Sequence, residues 1–382
     1  MKNNLWHRFV ISFLRYTAGP IIRLYFRYSY RRFKGPDVPT LVIANHNTNL
    51  DPAFVSMGFS KQMYFLTSEH ALRKGFASKV LKFMFAPIPI NKARIDVGAI
   101  KEMVRRIKAG ANVCLFAEGD RSFNGVTSRL TRPTAKLVRT SGADLITYRI
   151  EGGYFSTPRW SKSTRRGKMA GGMVKRYTAA EIKGMTDDEL LSAIEADILE
   201  DAYDRQKESP VRFRGKNLAQ DIETALYLCP GCRKTGTIRS EGNRFFCGCG
   251  LEGEYAETGV LKGEALPFTT ITEWDIWQVG QLADIIKEAG DGPICTDENQ
   301  QLYAVNAAVG KELVGEGAMW IDRHAFHCAD KTFPLDEITH FAVVDQMTLL
   351  FAVLSGITYE VASMTPRSAL KYREILRVLM EK

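Results

Sequence analysis

Strand-like and helix-like segments alternate between residue 39 and about residue 150, and this alternation restricts the fold more than any other feature of the sequence. The segments that predict buried strands are residues 41–44, 63–66, 113–116 and 144–150. The segments that predict helices are residues 52–59, 77–85, 97–109 and 134–141. Such alternation predicts an α/β domain with a central sheet flanked by helices.

Two polar motifs directly follow two of these predicted strands. The first is NHNTNLD at residues 45–51, and the second is FAEGDRS at residues 116–122. In open α/β sheets, ligands bind beyond the carboxyl ends of the strands. Both motifs are therefore expected at the edge of the sheet where a ligand site forms.

The first motif contains His46 and Asp51, which can act as a base and its orienting group. An imidazole titrates near neutrality and can take a proton from a hydroxyl group. A carboxylate on the other ring nitrogen would fix the tautomer and stabilise the imidazolium. Two other interpretations stay open: Asp51 before Pro52 is typical of a helix cap, and His46 can be satisfied by backbone groups in a turn.

The second motif contains Glu118, Gly119 and Arg121, which can form an anion pocket. Arg121 can hold a phosphate with two parallel hydrogen bonds. Gly119 would let backbone N–H groups approach the anion closely. Glu118 can orient Arg121 or contact a substrate hydroxyl. The alternative is an ordinary turn with a surface salt bridge.

Together the two motifs resemble those of the glycerophospholipid acyltransferases, and the resemblance covers roughly residues 30–205. It implies that His46 and Asp51 are catalytic. The residues that it assigns to the phosphate of the acceptor are Glu118, Gly119 and Arg121. It also implies transfer of a fatty acyl group from acyl-CoA or acyl-ACP to the free hydroxyl of lysophosphatidate, which gives phosphatidate in phospholipid biosynthesis.

This chain departs from the family pattern at several positions. Lys92, with Arg94 close by, stands where the family usually has an Arg, and both are candidate acceptor ligands. Because Lys is a point charge rather than a planar fork, phosphate contact there would be weaker or pass to Arg94. Ala117 replaces a Pro, and Asp120 replaces a Thr or Ser. These departures keep another lyso-lipid or alcohol open as the acceptor.

Four cysteines form two close pairs whose spacing predicts a metal site. The residues are Cys229, Cys232, Cys247 and Cys249, with 14 residues between the pairs. Two close thiolate pairs suit tetrahedral zinc and resemble a zinc ribbon, whereas the alternative is a disulfide or free thiols. Four cysteine ligands leave no open position, so the predicted zinc is structural.

Positive charge is concentrated in the first half of the chain. Residues 1–210 contain 35 Lys and Arg against 19 Asp and Glu, a net charge of +16, whereas residues 211–382 carry −7. A basic first half predicts an anionic partner such as a lipid surface. Because the half with the cysteines is acidic, a nucleic-acid-binding zinc ribbon is the less favoured alternative, and no nucleic acid is expected.

Residues 1–34 are rich in aromatic residues and Arg, and they predict two short amphipathic helices separated by Gly19-Pro20. Such helices can lie in a bilayer interface, while the alternative is a hairpin packed on the core. The chain has no run of about 18 apolar residues and no signal-peptide pattern. These features predict a peripheral, monotopic protein on the cytoplasmic face of a membrane.

The predicted organisation has five parts: interface helices at 1–34, the acyltransferase-like domain at 35–210, the zinc ribbon at 220–260, a linker or helix at 261–295 and a β-rich domain at 296–382. Residues 179–207 predict one helical stretch. In the last part, short strands precede one helix at 367–381, an order that resembles pleckstrin-homology-like or GRAM-like modules. A non-catalytic lipid-binding protein is a further alternative.

Overall fold

The computed structural model describes residues 4–34, 38–68, 72, 75–90, 96–306 and 310–380. It divides into two compact units. The first comprises Met1–Pro158 and Thr164–Gly215, and the second comprises Arg159–Ser163 and Lys216–Lys382. The five-part organisation of the chain stays a prediction.

The first unit contains helices and strands that alternate over most of its length. Its helices are α1 (Asn4–Tyr25), α2 (Asp51–Met57), α3 (Gly75–Phe85), α4 (Val97–Lys108), α5 (Arg132–Ser141), α6 (Gly153–Ser156), α7 (Ala179–Gly184), α8 (Asp187–Ile198) and α9 (Ala202–Glu208). Its strands are β1 (Tyr28–Tyr30), β2 (Thr40–Ala44), β3 (Met63–Ser68), β4 (Ile88–Ile90), β5 (Asn112–Leu115), β6 (Asp144–Glu151) and β7 (Met169–Tyr177).

These strands form a mixed sheet in the order β1-β7-β6-β2-β5-β3-β4. From β6 to β4 each strand is parallel to its neighbour, whereas β7 runs antiparallel to β6 and β1 runs parallel to β7. The predicted α/β core is therefore confirmed. Because β2 lies between β5 and β6, the loops that leave these three strands at their carboxyl ends share one edge of the sheet.

The core of the first unit consists of two apolar clusters, to which β2 contributes alternate side chains. Leu41 and Ile43 pack with residues of α4, α5 and α8, whereas Val42 and Ala44 pack with residues of α2. All four side chains are fully buried. A strand that is covered on both faces has a continuous run of apolar residues in its sequence. The sequence predicts β2 for this reason.

The N-terminal helix α1 runs unbroken from Asn4 to Tyr25, so the prediction of two short helices on either side of Gly19-Pro20 is wrong. A proline inside a helix removes one backbone hydrogen bond and strains the preceding turn. Contacts with the rest of the unit hold α1 in place. The Arg15 side chain, for example, donates a hydrogen bond to the carbonyl of Phe59 at 2.6 Å.

The predicted single helical stretch over residues 179–207 is also wrong, because the structure has three helices there, α7, α8 and α9. Each begins at its own cap, since a side-chain oxygen accepts a backbone N–H of the first turn. The capping residues are Thr178, Thr186 and Asp201. The helix start predicted at Thr186 is confirmed, with Glu189 completing a capping box.

The second unit is β-rich. Its strands are β8 (Ile238–Glu241), β9 (Arg244–Cys247), β10 (Glu252–Tyr255), β11 (Leu261–Lys262), β12 (Cys295–Asn306), β13 (Gly310–Ile321), β14 (Ala325–Cys328), β15 (Lys331–Pro334), β16 (Ile338–Val344), β17 (Thr348–Val353) and β18 (Thr358–Ser363). Its helices are α10 (Ile271–Gly280), α11 (Leu282–Ala289) and α12 (Ala369–Met380).

Two antiparallel sheets organise these strands. The smaller has the order β11-β10-β9-β8, and the larger has the order β15-β14-β13-β12-β18-β17-β16. The segment Arg159–Ser163 also packs in this unit. The Trp160 side chain is fully buried and lies 5.2 Å from the Tyr255 ring, and Arg159 donates hydrogen bonds to the carbonyls of Val343 and Asp345.

Candidate active site

The two motifs lie side by side at the edge of the first sheet. Strands β2 and β5 are neighbours, with Ile43 paired to Leu115, so the loops that follow them are adjacent. The first loop carries NHNTNLD and ends where α2 begins at Asp51. The backbone N–H of Ser122, in the second motif, donates to the carbonyl of His46 at 3.4 Å. The expected juxtaposition of the motifs is therefore present.

His46 and Asp51 form a hydrogen-bonded pair, with His46 Nδ1 2.8 Å from Asp51 Oδ2. The Asp51 carboxylate is fully buried and accepts three more hydrogen bonds: from the backbone N–H groups of Asn47 and Thr48 at 2.7 and 2.9 Å, and from Thr48 Oγ1 at 2.7 Å. Since this carboxylate acts as the acceptor, His46 Nδ1 carries the hydrogen. The neutral ring then has its lone pair on Nε2, as a general base requires.

The interpretation of Asp51 as a helix cap is wrong. Leu50 occupies the cap position of α2 and makes no side-chain cap hydrogen bond, while Asp51 is the first helical residue. The N–H groups that Asp51 accepts belong to Asn47 and Thr48, which precede the helix. The carboxylate therefore folds the loop back onto itself and holds the imidazole at the same time.

The His46 ring also stacks on the ring of Phe116, with centroids 4.4 Å apart and planes 19° apart. Phe116 in turn stacks on Phe65 at 6.2 Å. The His46 side chain keeps 22% of its surface exposed, so a substrate can reach it. Sequence analysis assigned no role to Phe116, although its place at the head of the second motif was the available signal.

We call residues 45–51, the loop that carries His46, the base loop. Asn45 and Gly153 fix this loop from the side of β6, and neither was among the predicted site residues. The Asn45 side chain donates to the Ile150 carbonyl at 2.8 Å and accepts the Ile150 N–H at 2.7 Å. At Gly153, an added Cβ would lie only 2.8 Å from the Cβ of Asn47. A larger residue there would displace the loop, so Gly153 is needed for this close approach.

Glu118 faces backbone groups of two loops. Its Oε1 accepts the N–H of His46 at 2.6 Å, and its Oε2 accepts the N–H of Ser128 at 2.8 Å. Burial raises the pKa of Glu118 to about 8; the carboxylates of Asp51 and Asp120 add to this rise, and the two backbone hydrogen bonds oppose it. The predicted contact of Glu118 with the acceptor stays a prediction.

Gly119 and Arg121 occupy the loop that leaves β5. Gly119 has φ +74°, a left-handed conformation that favours glycine, and a Cβ there would meet no atom within 4 Å. The backbone at this point therefore borders open space. The Arg121 side chain is half-buried in the same loop. Phosphate binding by these two residues stays a prediction, and Lys92 and Arg94 lie outside the described residues.

The four predicted metal ligands come together in the second unit. Their Sγ atoms all lie within 4.8 Å of one another, with Cys229 and Cys249 at 3.6 Å and Cys232 and Cys247 at 3.8 Å. A tetrahedron with metal–sulfur distances of about 2.3 Å has edges of about 3.8 Å. These residues, the four-cysteine cluster, therefore fit a tetrahedral metal ion.

Comparison with known proteins supports the assignment of the first unit. Residues 27–151 match the protein-family model Acyltransferase. No curated protein matches the chain. Among solved structures, the chain is similar to the 1-acyl-sn-glycerophosphate (LPA) acyltransferase PlsC from Thermotoga maritima, with 17% identity and a TM-score of 0.38 over 54% of this chain and 97% of that one.

A second similarity is to the C-terminal domain of an unknown protein from Leishmania infantum, with 14% identity and a TM-score of 0.18 over 28% of this chain and 98% of that one. The family match covers β2, β5, both polar motifs and the His46–Asp51 pair. The resemblance that the motifs indicated is thus confirmed by the match of residues 27–151 to the Acyltransferase family model.

Proposed function

We propose that this protein is a 1-acylglycerol-3-phosphate O-acyltransferase of phospholipid biosynthesis. It moves a fatty acyl group from acyl-CoA or acyl-ACP to the free hydroxyl of lysophosphatidate, giving phosphatidate. The observation that supports this most strongly is the 2.8 Å pair of His46 Nδ1 and Asp51 Oδ2, beside the second motif and within the acyltransferase match.

The proposed reaction is a direct transfer. Asp51 keeps the hydrogen on His46 Nδ1, so Nε2 takes the proton of the acceptor hydroxyl as its oxygen attacks the thioester carbon. The new ester bond forms, the carbon–sulfur bond breaks, and the departing thiolate takes the proton from the imidazolium. Cys114 is unsuited to be a covalent nucleophile because it is fully buried in β5, and burial raises the pKa of its thiol well above the usual value.

The phosphate of the acceptor is assigned to the loop after β5, with Arg121 as its main ligand and with Gly119, Lys92 and Arg94 contributing. An Arg–phosphate pair is charge-assisted and bidentate, so its loss weakens substrate binding. Arg121→Ala is therefore expected to raise the apparent KM for lysophosphatidate more than the KM for an acceptor without a phosphate. An equal change for both acceptors would mean that the phosphate is bound elsewhere.

A different lyso-lipid acceptor is the second candidate. Asp120 places a carboxylate directly between Gly119 and Arg121, and a carboxylate repels a phosphate. An acceptor whose head group also carries a positive charge would tolerate Asp120 better. A competition assay with lysophosphatidate and a zwitterionic lyso-phospholipid in one reaction separates the two candidates. The acceptor that forms more acylated product is the preferred one.

The first experiment follows acyl transfer from a long-chain acyl thioester to lysophosphatidate in the wild type and in His46→Ala. Activity in the wild type alone, with equal thermal unfolding of both proteins, supports the reaction and its base. Full activity in a folded His46→Ala protein refutes the proposed base. If neither protein is active with any lyso-lipid, the non-catalytic lipid-binding alternative is favoured.

We also propose that the first unit binds the surface of an anionic membrane through α1 and α3. The exposed fractions of the Phe9, Phe13 and Phe83 side chains are 61%, 56% and 64%. These residues border an apolar cavity of about 560 Å³, whose lining is Trp6, Phe9, Val10, Phe13, Lys79, Val80, Phe83 and Met84. Apolar rings beside cations suit a bilayer interface. In the described part of the chain, no helix is long and apolar enough to span a membrane.

Membrane binding is tested with Phe9→Asp. This change is expected to lower sedimentation with liposomes that contain anionic lipid, because a carboxylate would enter the interface. Ile276→Asp is the matched control, since Ile276 is 68% exposed on a helix of the second unit. Equal binding by both variants would contradict the proposal, and an oligonucleotide shift without liposome binding would favour the nucleic-acid alternative.

The four-cysteine cluster is proposed to hold a structural zinc ion, in the manner of a zinc ribbon. Four thiolates complete a tetrahedral shell, so bound zinc would supply folding energy to the smaller sheet and no catalytic position. The larger sheet followed by α12 supports a pleckstrin-homology-like or GRAM-like module. Metal analysis of the purified protein should find one zinc per chain, and mutation of Cys232 to Ser should lower that content.

A further inference from the structure

We propose that Glu118 is a positioning residue that holds the base loop and the loop after β5 in one arrangement, and that it is not a ligand of the acceptor. This inference rests on the proposed function of the same site. Glu118 contacts the backbone N–H of His46, whereas Asp51 contacts the His46 ring. The proposed role of Glu118 is therefore different from that of Asp51.

The geometry joins two backbone N–H groups, one from each loop, to one carboxylate. Oε1 accepts the N–H of His46 at 2.6 Å, and Oε2 accepts the N–H of Ser128 at 2.8 Å. His46 supplies the proposed base. Ser128 lies further along the same loop after β5 that contains Glu118, Gly119 and Arg121. Glu118 therefore sets the position of the base relative to the loop that would hold the phosphate.

The loop from Gly119 to Ser128 has further internal hydrogen bonds, so fixing its two ends fixes the loop as a whole. Asn124 Oδ1 accepts the N–H of Val126 at 3.0 Å, and Ser122 Oγ accepts the N–H of Gly125 at 2.8 Å. Such side-chain acceptors stabilise turns that lack regular backbone pairing.

Charge also argues for positioning rather than acceptor binding. An ionised Glu118 that faced the acceptor phosphate would repel it, whereas the same carboxylate satisfies two backbone N–H donors. Both oxygens of Glu118 are already used in this way. The side chain thus fits its backbone partners better than it fits an anionic substrate.

The ionised form of Glu118 accepts both N–H groups most strongly, because protonation turns one oxygen into a hydroxyl, which is a weaker acceptor. The groups that face it are the carboxylates of Asp51 and Asp120 and the backbone of His46 and Ser128. Because burial raises the pKa of Glu118 to about 8, both hydrogen bonds are charge-assisted above that pH and weaken as pH falls through it. Activity should rise with pH across this range.

The test uses Glu118→Gln, which keeps the size of the side chain but turns one acceptor into a donor. A lost charge-assisted hydrogen bond predicts a fall in kcat of roughly 10- to 100-fold. The KM for lysophosphatidate should stay within about twofold, since no substrate contact is removed. The matched control is Glu195→Gln, which should keep wild-type activity. Glu195 Oε1 accepts the Leu130 N–H at 2.6 Å, and neither residue belongs to the two motifs.

Two further measurements separate this inference from the proposed function. Amide hydrogen exchange at His46 and Ser128 should become faster in Glu118→Gln, a result that needs no activity. The rise of kcat near pH 8 should also disappear in this variant. If Glu118→Gln does not fold, Glu118→Asp keeps the charge but is too short to reach both N–H groups, and it should show the same faster exchange.

An increased KM for lysophosphatidate with unchanged kcat in Glu118→Gln would overturn the inference in favour of acceptor binding. Unchanged exchange at His46 and Ser128 would overturn it as well. Absence of acyl transfer in the wild type would reject the proposed function, while the exchange measurement would still decide whether Glu118 holds the two loops.

Discussion

Asp51→Asn would remove the charge that faces His46 while leaving most of the hydrogen bonds around it. The carbonyl oxygen of the new Asn can take the place of Oδ2, which accepts from His46, Asn47 and Thr48. Its amide nitrogen would then face Thr48 Oγ1, which can rotate to accept. The loop should keep its fold, with a loss of about 1–2 kcal/mol in the free energy of unfolding, because charge-assisted hydrogen bonds become neutral ones.

The effect on catalysis should be much larger. When His46 takes the proton of the acceptor, its ring becomes a cation next to the Asp51 carboxylate. At a charge separation of about 4 Å and an effective dielectric constant of about 20, this attraction is worth about 4 kcal/mol. Its loss from the transition state predicts a fall in kcat of about 10³-fold with little change in KM.

The assay is acyl transfer under saturating donor, with kcat and KM measured for the acceptor and thermal unfolding measured for each protein. Asp201→Asn is the matched control, since Asp201 Oδ1 accepts two backbone N–H groups at the start of α9 and Asn is an equally good cap. A folded Asp51→Asn protein with kcat within about threefold of wild type would refute the electrostatic role of Asp51. So would an equal loss of activity in the control.

Two other predictions concern packing and metal. Gly153→Ala should lower the free energy of unfolding by about 1–3 kcal/mol and reduce kcat, because its Cβ would lie 2.8 Å from the Cβ of Asn47. The control is Gly172→Ala, where a Cβ meets nothing within 4 Å, and it should change neither quantity. Chemical denaturation compares the stability of the two variants. Removal of zinc with a chelator should unfold residues 229–250 before it affects acyl transfer. Hydrogen exchange at these residues is followed in parallel with activity. If residues 229–250 unfold and activity is lost at the same time, the metal site and the catalytic domain do not fold separately.

The sequence predicted the central strands because buried strands appear as short runs of apolar residues. β2 and β5 are short apolar runs followed at once by polar motifs, and the structure pairs them as neighbours. β7 was missed for the opposite reason. It is largely exposed or half-exposed and contains Gly171, Gly172, Lys175 and Arg176, so it lacks both a continuous apolar run and a clear alternation.

Errors in the helices have a local and a tertiary origin. The break between α7 and α8 could have been read from Thr178 and Glu181, which repeat the capping pattern that Thr186 and Glu189 show. The continuity of α1 through Pro20 could not be predicted, because Gly-Pro is a local break signal and the contacts of α1, such as the hydrogen bond from Arg15 to Phe59, join residues far apart in the sequence.

In the candidate site too, local features could be predicted from the sequence, whereas contacts between distant residues could not. The pairing of His46 with Asp51 follows from a short loop, so five positions of sequence were enough to predict it. The hydrogen bonds of Glu118 join residues that are 72 and 10 positions away, and their partners are backbone groups with no sequence signature. Sequence therefore predicted candidate site residues from their motifs, whereas only the fold shows that both oxygens of Glu118 accept backbone N–H groups.

The segment Arg159–Ser163 limits how this protein can be rearranged. The chain contributes these five residues to the second unit, returns to the first at Thr164 and leaves it again at Lys216. A truncation after Gly215 would strip Trp160 of the partners that bury it and expose a large apolar surface. An exchange of the second unit between related proteins would thus need two coordinated changes in the gene, one of them inside the part that encodes the first unit. This makes the two units a poor choice for modular recombination.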